Sequence, residues 1–179
     1  MYSRPVVETT MPSVQTDARA ALAAAIPRLR RFALSLTGSW AEADDLTQDT
    51  LERALKRLDQ WKPEGTIESW AFRIMQNLWI DTIRSRRARA KVSESHEGQD
   101  AIGLDGRTAM LARQRLAETA AAFQELPEDQ RAAAALVLVE GYSYKEAAEI
   151  LQVPEGTVCS RLGRARVFLE RRLGAEAMA

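Results

Sequence analysis

The sequence predicts an all-α protein, two small helical domains joined by a flexible linker, and three observations carry that reading. Ala, Leu, Glu and Arg dominate, and 9 Gly with 6 Pro in 179 residues leave few helix breakers. This is the composition of a helix former with little β-branched content. Apolar residues recur at three- and four-residue steps wherever the chain is patterned, and no stretch reads convincingly as a strand. Between the patterned stretches lies 93–112, which opens SESHEGQDAIGLDGRTA, polar, glycine-bearing and aperiodic, the character of a linker. A hydrophobic content of 46% suffices for cores and argues against wholesale disorder.

The elements follow in order. Residues 1–16 are polar with two prolines and read as a loose tail. From Asp17 the positions Ala21, Leu22, Ala25, Leu29, Phe32, Ala33 and Leu36 form a helical stripe, with a kink or late start expected at Pro27 and a stop at Gly38. Ser39 followed by Glu42 is a capping-box signature for a second helix, whose buried side is Ala43, Leu46, Thr50, Leu51, Ala54 and Leu58. Lys62-Pro63-Glu64-Gly65 is a turn. A long helix begins near Ile67 with Trp70, Ala71, Ile74 and Leu78 inward and Arg73, Gln76, Asn77, Ile80, Arg84 and Arg87 outward. Beyond the linker helices resume near Met110 and pause at Leu126-Pro127. Pro127, Glu128 and Asp129 suit a first helical turn, and Gly141 closes that helix. The expected division is a tail over 1–16, domains over 17–92 and 113–173, the linker over 93–112 and a tail over 174–179.

The formal net charge is zero, but charge is segregated. Six basic and two acidic residues lie in 67–92, against one and four in 93–112. Four and seven lie in 113–153, against five and two in 154–172. A basic block alone is equally well a solvated helix face. One Cys and one His exclude a disulfide framework and make a zinc site within one chain improbable. His96 reads as an ordinary solvated side chain. No signal-peptide core or bilayer-length apolar run is visible, so a protein of the reducing cytoplasm without membrane insertion is expected.

The strongest local pattern is GYSYKEAAEILQVPEGTVCSRLGRARVFLERRL, residues 141–173. Ser143 and Glu146 form a capping box, and Ala147 and Ala148 are small enough for a second helix to cross closely. Val153-Pro154-Glu155-Gly156 is a tight break, and Val158, Leu162, Ala165 and Leu169 then point inward. A short helix, a tight turn and a second helix is helix-turn-helix spacing. The second helix exposes Thr157, Ser160, Arg161, Arg164 and Arg171, types that reach base edges and phosphates in a major groove.

This segment resembles region four of the extracytoplasmic-function group of bacterial sigma factors, and the earlier half independently resembles their region two. The matching pieces there are ADDLTQDTLERAL, residues 43–55, and TIESWAFRIMQNLWIDTIRSRR, residues 66–87. The resemblance implies a sigma factor that binds core RNA polymerase through its clamp coiled coil and flap, with promoter DNA as the second partner. An anti-sigma factor is commonly a third, and no cofactor, metal, catalytic residue or small-molecule substrate is implied. Asp45, Gln48 and Asp49 would dock on the basic clamp coiled coil, although surface carboxylates are also common without a partner. The minus-ten element would be opened and held by the loop and long helix. Trp61 would offer a stacking face, Asn77 a hydrogen-bonding edge, and Arg84, Arg86, Arg87 and Arg89 charge for phosphates. Trp70 and Phe72 are assigned to the core, and Trp79 stays open between core and stacking.

Region four would read the minus-thirty-five element through Thr157, Cys159, Ser160, Arg161 and Arg164. The family usually has Arg or Lys where this chain has Cys159, and a thiol cannot make a bidentate base contact. Either the promoter differs there or Ser160 and Arg164 do more of the reading. A small half-buried helix residue explains Cys159 better than a redox switch, since the chain has no resolving Cys. The linker, fully extended, would span up to about 60 Å, enough to place two modules on separate promoter elements. A plain helix-turn-helix operator binder leaves the region-two segment unexplained, and a helical enzyme would need a phosphate loop, metal cluster or nucleophile motif that is not visible.

Overall fold

The structure, a computed structural model, describes residues 11–62, 65–90 and 117–174. The linker expected over 93–112, most of the terminal tails and the middle of the Lys62–Gly65 turn lie outside the described residues.

Helix α1, Met11–Thr37, buries Ala18, Leu22, Ala25, Leu29, Phe32, Ala33 and Leu36 along one stripe. It begins earlier than expected, since residues 11–16 of the anticipated tail are its first turns. It also runs through Pro27 rather than starting late. Pro27 and Ala23 both lie on the exposed side, where the carbonyl that the proline leaves unpaired can be hydrated. Helix α2, Trp40–Lys56, follows. Ser39 is its N-cap residue, but the expected capping box does not form: the Ser39 side chain makes no cap hydrogen bond. The Glu42 carboxylate instead pairs with Arg86 of the third helix at 2.9 Å. The Thr37 hydroxyl bonds the Ser39 backbone, accepting from its N–H at 3.3 Å and donating to its C=O at 3.1 Å. Thr47 and Thr50 are buried because each hydroxyl donates to a carbonyl one turn back, Ala43 O and Leu46 O, at 2.7 Å.

A single 3₁₀ turn, Leu58–Gln60, leads to the loop and to α3, Ile67–Ala90. Thr66 caps α3 by accepting from Ser69 N–H at 3.0 Å. The buried side of α3 is Ala71, Phe72, Ile74, Met75 and Trp79, with Trp70 and Leu78 half-buried. Trp79 therefore belongs to the core. Gln76, expected on the outer face, is buried.

Helix α4, 117–125, and the helix α5, Glu128–Ala134, meet at Leu126-Pro127. Arg131 ties that junction: its guanidinium donates to Leu126 O, Gln124 O and Gln124 Oε1, and to Leu36 O at the end of α1. Burial pushes its pKa below the usual arginine value. Beyond α5 the chain widens into a π-helical turn, Ala135–Val139, with Glu140 N–H bonded to Ala135 O and a stop at Gly141, φ +75°. Helices α6, Tyr144–Leu151, and α7, Glu155–Leu173, complete the order.

Helices α1, α2 and α3 pack on one another, and α5 and α6 pack on α7. The two halves also pack together: α1 touches α5 and the π turn, and α3 touches α6. One buried cluster runs from Leu22 and Phe32 through Phe72 to Ala132, Leu136, Ala147 and Val158. A smaller one, Ala122, Leu126, Ala134, Leu162, Ala165 and Leu169, lies under α4, α5 and α7.

Candidate nucleic-acid interface

In the second half the Ser143 capping box forms. Its hydroxyl accepts from Glu146 N–H at 3.3 Å, and Glu146 Oε2 accepts from Ser143 N–H at 2.8 Å and from the hydroxyl at 2.6 Å. The hydroxyl bond, then the backbone one, holds the Glu146 carboxyl below the usual glutamate value. Gln152 ends α6 in the left-handed conformation, φ 55°, so the turn lies at Gln152–Pro154, slightly earlier than the sequence suggested. Val158, Leu162, Ala165 and Leu169 are all buried. With that face inward, Cys159, Ser160 and Arg164 are exposed, and Thr157 and Arg161 are half-buried. Arg161 pairs with Asp129 at 3.0 Å. Among the described residues Arg164 bonds Ser160 O, at 3.2 Å, and no ion pair engages its exposed guanidinium. Cys159 is exposed rather than half-buried.

In the first half a cleft of about 460 Å³ opens between the Gln60–Gly65 loop and α3. Trp61 lies in it, beside Gln60, Lys62, Ser69, Trp70 and Arg73. Ser69, Trp70 and Arg73 were not singled out as site residues, although Arg73 lies four residues beyond Ser69 and three beyond Trp70, the spacings that make helix neighbours. Asn77 is exposed one turn beyond Arg73 and does not line the cleft. Trp70, expected in the core, is half-buried and lines the cleft. The far wall comes from the other half: Glu149 and Ile150 of α6.

The basic end of α3 is divided. Arg84 and Arg89 are exposed, and Arg89 bonds the Ser85 hydroxyl at 2.9 Å. Arg86 pairs with Glu42 and lies 5.7 Å from the Trp79 ring centroid. Arg87 pairs with Glu128 of the second half. Asp45, Gln48 and Asp49 are exposed together on α2, with Gln48 reaching Glu52 at 3.4 Å.

A capped α6, a left-handed turn and an α7 with an arginine- and hydroxyl-bearing outer face define the chain's class, a helix-turn-helix DNA-binding protein with a second helical module in front. Comparison with known proteins identifies the family. Residues 22–89 match the family model of Sigma-70 region 2, and residues 116–169 that of Sigma-70 region 4. The ECF RNA polymerase sigma factor EcfG of Rhodopseudomonas palustris (strain TIE-1) is 40% identical over 156 residues, 86% of this chain and 84% of that protein. SigM of Mycobacterium tuberculosis (strain H37Rv), also an ECF RNA polymerase sigma factor, is 36% identical over 82% of this chain and 72% of its own length. The sigma factor RpoE of Bartonella quintana, solved in complex with the anti-sigma factor NepR, superposes with a TM-score of 0.76 at 31% identity, over 88% of this chain and 97% of that one. CnrH in complex with the cytosolic domain of CnrY gives 0.63 at 26% identity, over 92% and 97%. The chain belongs to the extracytoplasmic-function group of RNA polymerase sigma factors. None of the described helices is long and apolar enough to cross a membrane.

Proposed function

We propose that this sigma factor binds core RNA polymerase in the cytoplasm and directs promoter-specific initiation by dividing the work between its halves. It acts by stoichiometric binding and contributes no bond-making chemistry of its own. The observation that carries the reading is the pairing, in one chain, of an exposed reading helix with a cleft large enough for a base.

Residues 17–92 form the module that engages polymerase and the minus-ten element, and residues 113–173 the module for the minus-thirty-five element. The second reads duplex: Arg164 can span two acceptors on one guanine, with Thr157, Cys159, Ser160 and Arg161 around it. The first holds single strand. An extruded base stacks on Trp61 in the cleft, Asn77 bonds a neighbouring base edge on the same helix face, and Arg84, Arg86 and Arg87 meet phosphates. Asp45, Gln48 and Asp49 present an acidic face to the basic clamp coiled coil. Control by an anti-sigma factor is supported by the RpoE relative, which was solved in complex with the anti-sigma factor NepR.

Permanganate footprinting of promoters opened by the chain with core polymerase tests the division. Asn77→Ala is expected to reduce strand opening and blur selectivity at one minus-ten position while upstream duplex protection is kept. Loss of upstream protection instead would show that the modules are assigned wrongly.

A further inference from the structure

Two arginines of α7 form ion pairs with acids at the α4–α5 corner, and the pairs differ in where they stand. Arg161 Nε lies 3.0 Å from Asp129 Oδ2. Arg172 Nε lies 3.1 and 3.2 Å from the two oxygens of Glu125, and its Nη2 also approaches Oε1 to 3.1 Å. Arg161 and Arg172 are about three turns apart and fall on one line along the helix. That line flanks the small core of Leu162, Ala165 and Leu169, which α7 shares with α4 and α5. Ser160 and Arg164 lie farther round, on the exposed side. Arg172 is in the last turn of α7, whereas Arg161 is near the N-terminal end, the end that meets base edges when such a helix enters a major groove.

Asp129 has a stiff mount. It stands in the first turn of α5 behind Pro127, φ −53°, and Arg131 holds that corner by bonds to Gln124 O at 2.6 Å and Leu126 O at 2.9 Å. The carboxylate meets Arg161 through Nε, at the base of the fork, and the terminal amines are the pair that a guanidinium turns to a phosphate. A side chain on the flank of a groove-bound helix faces the groove wall, which is sugar and phosphate, while the outer line faces the bases. An unanchored arginine loses rotamer freedom when it binds, and a carboxylate that already holds it removes part of that cost.

We propose that Asp129 is a positioning residue for duplex DNA: it holds Arg161 ready for a backbone phosphate at the groove wall. The contact fixes the depth and register at which α7 enters and leaves the base edges to Ser160 and Arg164. This deepens the reading of α7 given above and rests on it. The sign of the effect separates positioning from charge. An acid close to DNA repels it, so removing Asp129 would tighten binding if charge alone counted.

The test uses the full chain assembled with core polymerase, with Asp129→Ala, Arg161→Ala, both together, and Glu125→Ala. Affinity is measured over a range of salt concentrations on a fluorescein-labelled promoter duplex at which the chain initiates, and on duplexes substituted singly through its upstream element. Arg161→Ala should lower affinity about tenfold at every substituted duplex alike, and reduce the slope of log affinity against log salt by about 0.9. Asp129→Ala should lower affinity about threefold in spite of the lost negative charge, and the double variant should bind no more weakly than Arg161→Ala alone. Glu125→Ala breaks the matching pair at the far end of α7 and should leave affinity at the parent value. Binding by Asp129→Ala as tight as the parent or tighter overturns the proposal, and so does an additive double variant, since Asp129 then acts without Arg161. A loss confined to one base pair makes Arg161 a reader of base edges and overturns the phosphate contact. An equal loss in Glu125→Ala overturns positioning in favour of a general loosening of α7. If Asp129→Ala does not fold, Asp129→Asn, which keeps the shape and an acceptor, runs the same cycle with the same outcomes counting against the proposal. Upstream affinity unchanged in both Arg161→Ala and Arg164→Ala would sink the duplex-reading role of α7 itself, whereas failure of the Asp129 variants alone leaves that role standing.

Discussion

Arg164→Ala separates base reading from folding because the structure holds the two apart. The guanidinium is exposed, and among the described residues it bonds a backbone carbonyl one turn back at 3.2 Å and no ion pair engages it. Removing it therefore leaves the packing of α7 through Val158, Leu162, Ala165 and Leu169 intact. Ala is also the better helix former, so thermal stability should change by no more than about 0.5 kcal/mol. A bidentate arginine contact to one guanine is worth about 1–3 kcal/mol of discrimination, which converts to about 5- to 150-fold in relative affinity at one base pair. Arg161 is the control. It is half-buried and paired with Asp129, so Arg161→Ala should cost about 1 kcal/mol of stability as well as affinity. The assay is competition binding by the chain with core polymerase on duplexes substituted singly through the upstream element, beside thermal melts of the free chain. Discrimination by Arg164→Ala equal to the parent at every base pair would refute the assignment.

Three further expectations rest on other parts of the molecule. Asp49→Lys, at an exposed position on α2, should weaken assembly with core polymerase, most at low ionic strength, without changing the melting temperature; equal core affinity in low salt would remove Asp49 from the interface. Leu162 is buried in the smaller core, so Leu162→Ala should cost about 2–5 kcal/mol in denaturant unfolding, and a loss below about 1 kcal/mol would contradict that packing. Burial, with the Glu68 carboxylate nearby, pushes the Tyr142 phenol up to about 12. Its stabilising contribution is thus complete below the ordinary tyrosine value near 10 and is lost as pH rises through about 12, at most about 1.4 kcal/mol per pH unit. Tyr142→Phe should flatten the pH-dependence of stability in that window, and an unchanged slope would contradict it.

The helix-turn-helix was legible because its determinants are local. A capping box over four residues, small residues at the crossing and a four-position apolar stripe on α7 need no knowledge of the rest of the chain. Ser39 shows where local signals stop: the same Ser-x-x-Glu pattern fails as a cap because Arg86, 44 positions beyond Glu42, competes for the carboxylate. Gln76, expected outward but buried, and Trp79, left open between core and stacking, show the same limit, since only the tertiary packing of α1 and α2 on α3 decides how wide the buried stripe becomes. Asn77 and Trp61 were chosen for their chemistry, and the structure puts Trp61 in the cleft with Ser69, Trp70 and Arg73 but leaves Asn77 a turn outside it. The seam between halves was invisible in the sequence, because Arg28 and Arg31 meet Glu140 across 112 and 109 residues. Glu140 read as one more acid in an acidic stretch, and only the π turn makes it a buried partner.

Run-off transcription tests the central claim most directly. Purified chain and core polymerase are incubated with a library of genomic upstream fragments, and transcript ends are mapped with and without the chain. Initiation at discrete sites sharing an upstream and a downstream element, absent with core polymerase alone, is the predicted result. Tight binding to duplex fragments with no initiation at any of them would contradict it and leave a helix-turn-helix protein that binds DNA without serving polymerase.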